Sequence, residues 1–161
     1  MNFLIEPALP SDIPQVLSLI KQLAEYEKAP NEVTVTHEIL LRDGFGEHKI
    51  FDCFVARSSE NAILGMALYY TKYSTWKGRC IYLEDIIVDQ QFRGNGIGKE
   101  LFRAVYHEAR TLQAGRLEWQ VLEWNEPAIG FYKRFKAQFD SEWINCKFTY
   151  EQMQQISSEQ L

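Results

Sequence analysis

The sequence predicts an α+β fold, a mixed and mostly antiparallel twisted sheet of six to seven strands flanked by about four helices. Three observations predict it. Strand-like and helix-like stretches follow one another in the order β-α-α-β-β-β-α-β-α-β. Three consecutive strand-like runs in mid-chain, joined by short polar segments, read as an antiparallel meander. The 161 residues, 46% hydrophobic and 24% charged, suffice for one core that needs no metal or disulfide staple. One domain is therefore expected over residues 1–161, with the polar last ten residues free to fray.

The first strand is expected over Asn2 to Glu6 and ends at Pro7 and Pro10. Ser11-Asp12 caps a helix, with Pro14 tolerated in its first turn, and Ile13, Val16, Leu17, Ile20, Leu23 and Ala24 recur at helical spacing through Lys28. Ala29-Pro30-Asn31 breaks it, and a short helix follows from Thr36 to Asp43, closed by Gly44 and Gly46. The meander comprises Phe51 to Arg57, Ile63 to Thr71 and Arg79 to Val88. After a Gly-rich turn, Ile97, Leu101, Val105 and Ala109 form one stripe of a helix running to Gln113. Arg116 to Glu123 reads as a strand, Pro127 to Lys136 as a helix, and Phe139 to Tyr150 as one or two further strands.

Composition excludes several functions. With 17 Lys and Arg against 22 Asp and Glu the net charge is −5, which argues against a general nucleic-acid binder and leaves room for cationic partners. No apolar run is long enough to span a membrane, and Met1 to Pro14 lacks the basic start of a signal peptide. Cys53, Cys80 and Cys146 form an odd set without CxxC spacing, and His37, His48 and His107 are scattered. A cytoplasmic protein without a metal is the expectation.

The strongest local signal is Gln91-Phe92-Arg93-Gly94-Asn95-Gly96-Ile97-Gly98-Lys99, which follows a strand and opens a helix. Glycines admit positive φ and close approach, N–H groups at a helix N-terminus bind anions, and Arg93 and Lys99 add charge at the rim. A Walker loop needs four residues before its Gly-Lys and then Ser or Thr; here three residues separate Gly94 from Gly98, and Glu100 follows Lys99. A dinucleotide fingerprint needs G-x-G-x-x-G in a parallel unit, whereas this loop is G-x-G-x-G after an antiparallel meander.

Gln91-x-x-Gly94-x-Gly96 resembles the acyl-CoA pyrophosphate loop of the GNAT superfamily of N-acetyltransferases, as does the order of elements. Gly44-Phe45-Gly46-Glu47-His48, Tyr82-Leu83-Glu84-Asp85, Glu123-Trp124-Asn125-Glu126-Pro127 and Phe131-Tyr132-Lys133-Arg134 resemble the spermidine/spermine (diamine) N-acetyltransferase branch. The resemblance implies acetyl-CoA as co-substrate, held by the loop residues Arg93 to Lys99, by the backbone of Ile86 and Val88, and by Asn125 and Tyr132. Lys133 and Arg134 read either as phosphate contacts or as a solvated helix face.

Acetyl transfer to an amine needs a group that takes the amine's proton, a donor for the oxyanion and an acid for the departing thiolate. Glu84 and Asp85 close the third meander strand; on a regular strand only one of two neighbours faces the site. The resemblance favours Glu84 as a water-relayed base, with Asp85 orienting groups or solvated, and Tyr132 as the general acid. It places Glu25, Tyr26, Glu27, Trp76, Glu142 and Trp143 along an acidic, aromatic acceptor groove suited to an alkylammonium. Ser74 stands where polyamine enzymes of this branch carry an acidic residue, which points to shorter diamines or lysine-like side-chain amines. The resemblance also implies a homodimer sharing the C-terminal strands, with Trp143 to Tyr150 apolar enough to allow it. A protein or peptide N-acetyltransferase, or an acyl-CoA-binding sensor without turnover, are the alternative readings.

Overall fold

The computed structural model describes residues 2–155, in two units, Met1–Gln120 and Val121–Leu161. The first unit carries β1 (Phe3–Pro7), α1 (Ile13–Tyr26), α2 (His37–Phe45), β2 (Asp52–Ser58), β3 (Ile63–Ser74), β4 (Gly78–Val88), α3 (Ile97–Thr111) and β5 (Arg116–Glu118). The strands form one sheet in the order β1-β2-β3-β4-β5, antiparallel from β1 to β4, with β5 parallel to β4.

Seven consecutive residues of β3, Ile63 to Tyr69, are buried, as befits a central strand covered on both faces. One face packs Met66, Leu68, Val55 and Ile87 with Val16 and Leu19 of α1. The α3 stripe read from periodicity is buried throughout, together with Phe102. A Cβ at Gly65 would lie 2.7 Å from the Ile87 carbonyl oxygen, so only glycine lets β3 and β4 close where β4 runs into the site. At the far end of the sheet the Arg57 guanidinium grips the buried Asp12 through two bonds of 3.0 and 2.7 Å and also pairs with Glu6. Burial pushes Asp12 up, but bonds from Arg57 and the Leu9 N–H, with the Arg57 charge, leave it below the usual carboxylate range.

The second unit contains α4 (Glu126–Lys133) and α5 (Tyr150–Gln155). Asn125 caps α4, its Oδ1 accepting from the Ala128 N–H at 3.3 Å. Two expectations are corrected. The strand expected to reach Glu123 stops at Glu118, and the strands expected over Phe139 to Tyr150 are absent, so the described residues hold five strands and five α-helices. A strand needs a neighbour for its N–H and C=O groups and a covered face. Here no described strand pairs with the segment, and Trp143, Ile144, Phe148 and Tyr150 are exposed. Thr149 and Gln152 instead bond reciprocally at 2.8 and 3.2 Å and start α5, a capping-box spacing legible in the sequence. Of the ten residues expected to fray, Gln152 to Gln155 are helical and 156–161 lie outside the described residues.

Candidate active site

The site begins with a break in register. Leu68 pairs with Asp85 but Tyr69 pairs with Leu83, so Glu84 is an extra residue, a β-bulge in β4. Asp85 and Ile87 stand opposite Leu68 and Met66 on the α1 face, and Tyr82 stands opposite Tyr70 on that same face. A regular strand would send Glu84 to the α3 face. The bulge brings it back: the Tyr70 hydroxyl bonds the Glu84 carboxylate, and the Glu84 charge acts on Asp85. The expectation that only one of the two carboxylates faces the site is thereby corrected.

The end of α1 adds a third carboxylate. Asp85, half-buried, has its pKa pushed up to about 6, first by burial and then by the charges of Glu84 and Glu27. Partial burial of the Glu27 carboxyl raises its pKa too, although the residue as a whole is exposed. Tyr82 is pushed up to about 12 by burial, then by Glu84, Tyr70, Glu118 and Asp85. An Asp with a folded pKa above its unfolded value loses stability as pH rises. Here the loss accrues between about pH 4 and about pH 6 and is complete above it. Asp85→Asn is therefore expected to stabilise the fold by about 2 kcal/mol at pH 8, allowing for solvent screening, with the gain vanishing below pH 4. Urea unfolding at pH 8 and pH 4 checks it; a variant less stable than the parent at pH 8 contradicts the burial argument.

Past β4 the turn is fixed by side-chain hydrogen bonds. The Asp89 carboxylate accepts from the Gln91 N–H at 2.9 Å and from Gln22 Nε2 of α1 at 3.1 Å, and Asn95 Nδ2 donates to the Phe92 carbonyl at 3.0 Å. Gly94 and Gly96 both take φ of 82° with open space where a Cβ would sit, so conformation rather than crowding calls for glycine. Gly98 differs: it lies in the first turn of α3, where an added Cβ would sit 3.6 Å from Val88 Cγ2. The Ile97 side chain is a core residue, while the helix-start N–H groups of Ile97, Gly98 and Lys99 have no intrahelical partners by helix geometry. Arg93, exposed, folds back along the loop, its Nε donating to the Val88 carbonyl at 3.1 Å and its guanidinium 5.3 Å from the Tyr26 ring centre. That clasp ties the end of α1 to the loop.

β5 pairs with β4 only from Cys80 to Tyr82, which leaves Leu83 to Val88, with half-buried Ile86 and Val88, without a β5 partner. Glu84, Asp85, Tyr26, Glu27 and Arg93 thus come together within the first unit, while Glu25 is exposed beside them on α1. Trp76 does not join them: it is 82% exposed in the β3–β4 hairpin, roughly 25 Å along the strand from Glu84. Ser74 organises that turn by accepting from the N–H groups of Trp76 and Lys77 at 3.3 and 3.2 Å. In the second unit Tyr132 is 5% exposed with its ring edge-on to Phe131 at 5.2 Å, and Arg134 lies over Phe131. Lys133, Glu142 and Trp143 are exposed there. Tyr70 and Asp89 went unread in the sequence; nothing local marks a tyrosine that bonds a bulged carboxylate.

Among the described residues no group of His, Cys, Asp or Glu is placed to hold a metal ion, and no helix is long and apolar enough to cross a membrane. Residues 17–136 match the family described as the Acetyltransferase (GNAT) family. Thialysine N-epsilon-acetyltransferase of Mus musculus is 37% identical over 163 residues, covering 95% of this chain and 96% of that protein. Spermidine/spermine N(1)-acetyltransferase-like protein 1 of Homo sapiens is 34% identical, over 98% of this chain and 24% of that longer protein. An integron cassette protein from the mobile metagenome of V. cholerae shares the fold, with a TM-score of 0.77, 23% identity and 96% of each chain covered. The chain belongs to the GNAT acetyltransferase family, whose members use acetyl-CoA as co-substrate.

Proposed function

We propose that this acetyltransferase domain moves the acetyl group of acetyl-CoA by direct attack onto a primary amine of a small aliphatic diamine, polyamine or lysine-like acceptor. The observation that carries the reading is the β4 bulge, which turns Glu84 and Asp85 to one face beside the anion loop. The names of relatives that match nearly the whole chain support an amine acceptor. A primary ammonium has a pKa near 10.4, so freeing it at pH 7 costs about 4 to 5 kcal/mol. Glu84 takes that proton through a water; Asp85 and Glu27 hold the cation. The amine nitrogen bonds the thioester carbonyl carbon, and the oxyanion takes a backbone N–H from the stretch Ile86 to Val88. The C–S bond then breaks, the thiolate takes the proton of the Tyr132 hydroxyl, and the extra proton on the newly acylated nitrogen passes through water to the Tyr132 phenolate, leaving the neutral amide, free coenzyme and a restored Tyr132. Gly94 to Lys99, with Arg93 and Asn125, hold the coenzyme, and Lys133 and Arg134 lie ready for its phosphates.

The exposed apolar run around Trp143, Ile144 and Phe148 supports a homodimer that shares this segment, with Glu142 and Trp143 completing the acceptor groove. Two buried free thiols, Cys53 and Cys80, suit a reducing cytoplasm. Thiol release from acetyl-CoA against putrescine, cadaverine, spermidine, thialysine and a short peptide tests the function. Turnover of at least one small amine is expected. Turnover of the peptide alone, or tight acetyl-CoA binding with no turnover, overturns the reading in favour of a peptide acetyltransferase or a sensor.

A further inference from the structure

The helix α1 is anchored by packing at its start and by polar contacts at its end. Its buried residues are Ile13, Val16 and Leu19, and none follows in the last two turns. Near the start, Gln15 Oε1 accepts from the Ile63 N–H at 2.9 Å. Near the end, Gln22 and Tyr26 stand four residues apart and so share one side of the helix. Gln22 Nε2 donates to Asp89 Oδ2 at 3.1 Å, and the Arg93 guanidinium lies 5.3 Å from the Tyr26 ring centre. Both partners belong to the turn after β4. Asp89 starts that turn: its N–H donates to the Leu64 carbonyl and its Oδ1 accepts from the Gln91 N–H, each at 2.9 Å. One residue thus joins α1, β3 and the turn.

The chain leaves α1 in a defined way. The Lys28 N–H donates to the Glu25 carbonyl at 3.1 Å and the Ala29 N–H to the Ala24 carbonyl at 2.8 Å, with Lys28 at φ 63°. This is the paired-bond helix ending built on a left-handed residue, here a lysine where glycine is usual. Glu27 is the residue just before it, so its place follows that of the last turn. Glu25 and Glu27 also close a helix with no cation in its last turn, an arrangement the helix dipole disfavours and a cationic ligand would answer. The charge of Glu27 reaches Asp85 on β4.

On the amine-acetyltransferase reading, we propose that Gln22 is a positioning residue whose bond to Asp89 sets Glu27 against Asp85, so that the grip on the acceptor's ammonium depends on the turn that takes the coenzyme. Without the bridge the last turns of α1 lose a polar tie, and Glu27 moves with them. The attraction between a carboxylate and a cation falls with their separation, so binding of the acceptor weakens. Proton removal is spared, because Glu84 is held by the pairing of β3 with β4 and not by α1. The effect of Gln22 therefore falls on the acceptor KM and passes through Glu27.

Gln22→Leu removes the donor and keeps a good helix former in its place. Thiol release is expected to show an acceptor KM raised about fivefold, with kcat and the calorimetric acetyl-CoA Kd within about twofold of the parent. Glu27→Gln is expected to raise the same KM about tenfold. The deciding variant combines the two. Added to Glu27→Gln, Gln22→Leu is expected to change the KM by less than about 1.5-fold, since a residue that works through Glu27 then has nothing left to position. Equal KM increases in the two backgrounds overturn the positioning role and make Gln22 a general brace. An unchanged KM in either single variant overturns it too, as does an acetyl-CoA Kd that weakens as much as the KM rises; all three leave the amine reading standing. Absence of turnover by the parent on every amine overturns both.

Discussion

Tyr132→Phe is expected to lower kcat by about 10²- to 10³-fold and to leave acetyl-CoA affinity within about twofold. The thiolate of coenzyme A departs as a charged group, and a positioned acid contributes roughly 10²- to 10⁴-fold to such a step. Phenylalanine keeps the ring, and with it the packing of a side chain that is 5% exposed and edge-on to Phe131. What it removes is the hydroxyl proposed as the proton donor. The expected loss corresponds to about 3 to 4 kcal/mol of transition-state stabilisation, without a matching loss of ground-state binding. Thiol release gives kcat, and titration calorimetry gives the acetyl-CoA Kd. An unimpaired kcat removes Tyr132 from the mechanism; a Kd that weakens as much as kcat falls assigns it to binding alone.

The parts of the molecule that follow a period were legible in the sequence. The α3 stripe is an example, since Ile97, Leu101, Val105 and Ala109 are set by the helix repeat and by nothing further away. The turn after β4 was legible for a related reason: Gly94 and Gly96 answer a local backbone need, the positive φ that both adopt. Glu84 shows where that logic stops. Alternation places Glu84 and Asp85 on opposite faces, and only the pairing of β3 with β4 reveals an extra residue between Leu83 and Asp85. The Tyr70–Glu84 bond and the Lys72–Glu118 pair depend on that pairing and on the β4–β5 register, neither of which leaves a local mark. The strands expected in the tail failed for the opposite reason. The pattern around Trp143 to Tyr150 suits a strand, but a strand is defined by its partner, and no described strand lies beside it. Trp76 lay at a hairpin tip because the β3–β4 pair extends to Ser74 and Gly78, longer than Thr71 and Arg79 suggested.

In the proposed mechanism the bulged carboxylate of Glu84 frees the amine. Glu84→Gln keeps the size of the side chain and an oxygen for the Tyr70 hydroxyl, while removing the group that takes the proton. At pH 7 only about one amine in 10³ is free, so a variant without the base has to wait for that fraction. As the pH approaches 10 the free fraction rises to about three in ten and the base loses most of its advantage. The decisive measurement is therefore kcat/KM of parent and Glu84→Gln from pH 6.5 to pH 10 with the best acceptor. With Glu84 as the base, the expected deficit is about 10²- to 10³-fold at pH 7 and closes to within about tenfold at pH 10. Parallel profiles, or an unchanged rate at pH 7, contradict it and move proton removal to Asp85 or to solvent.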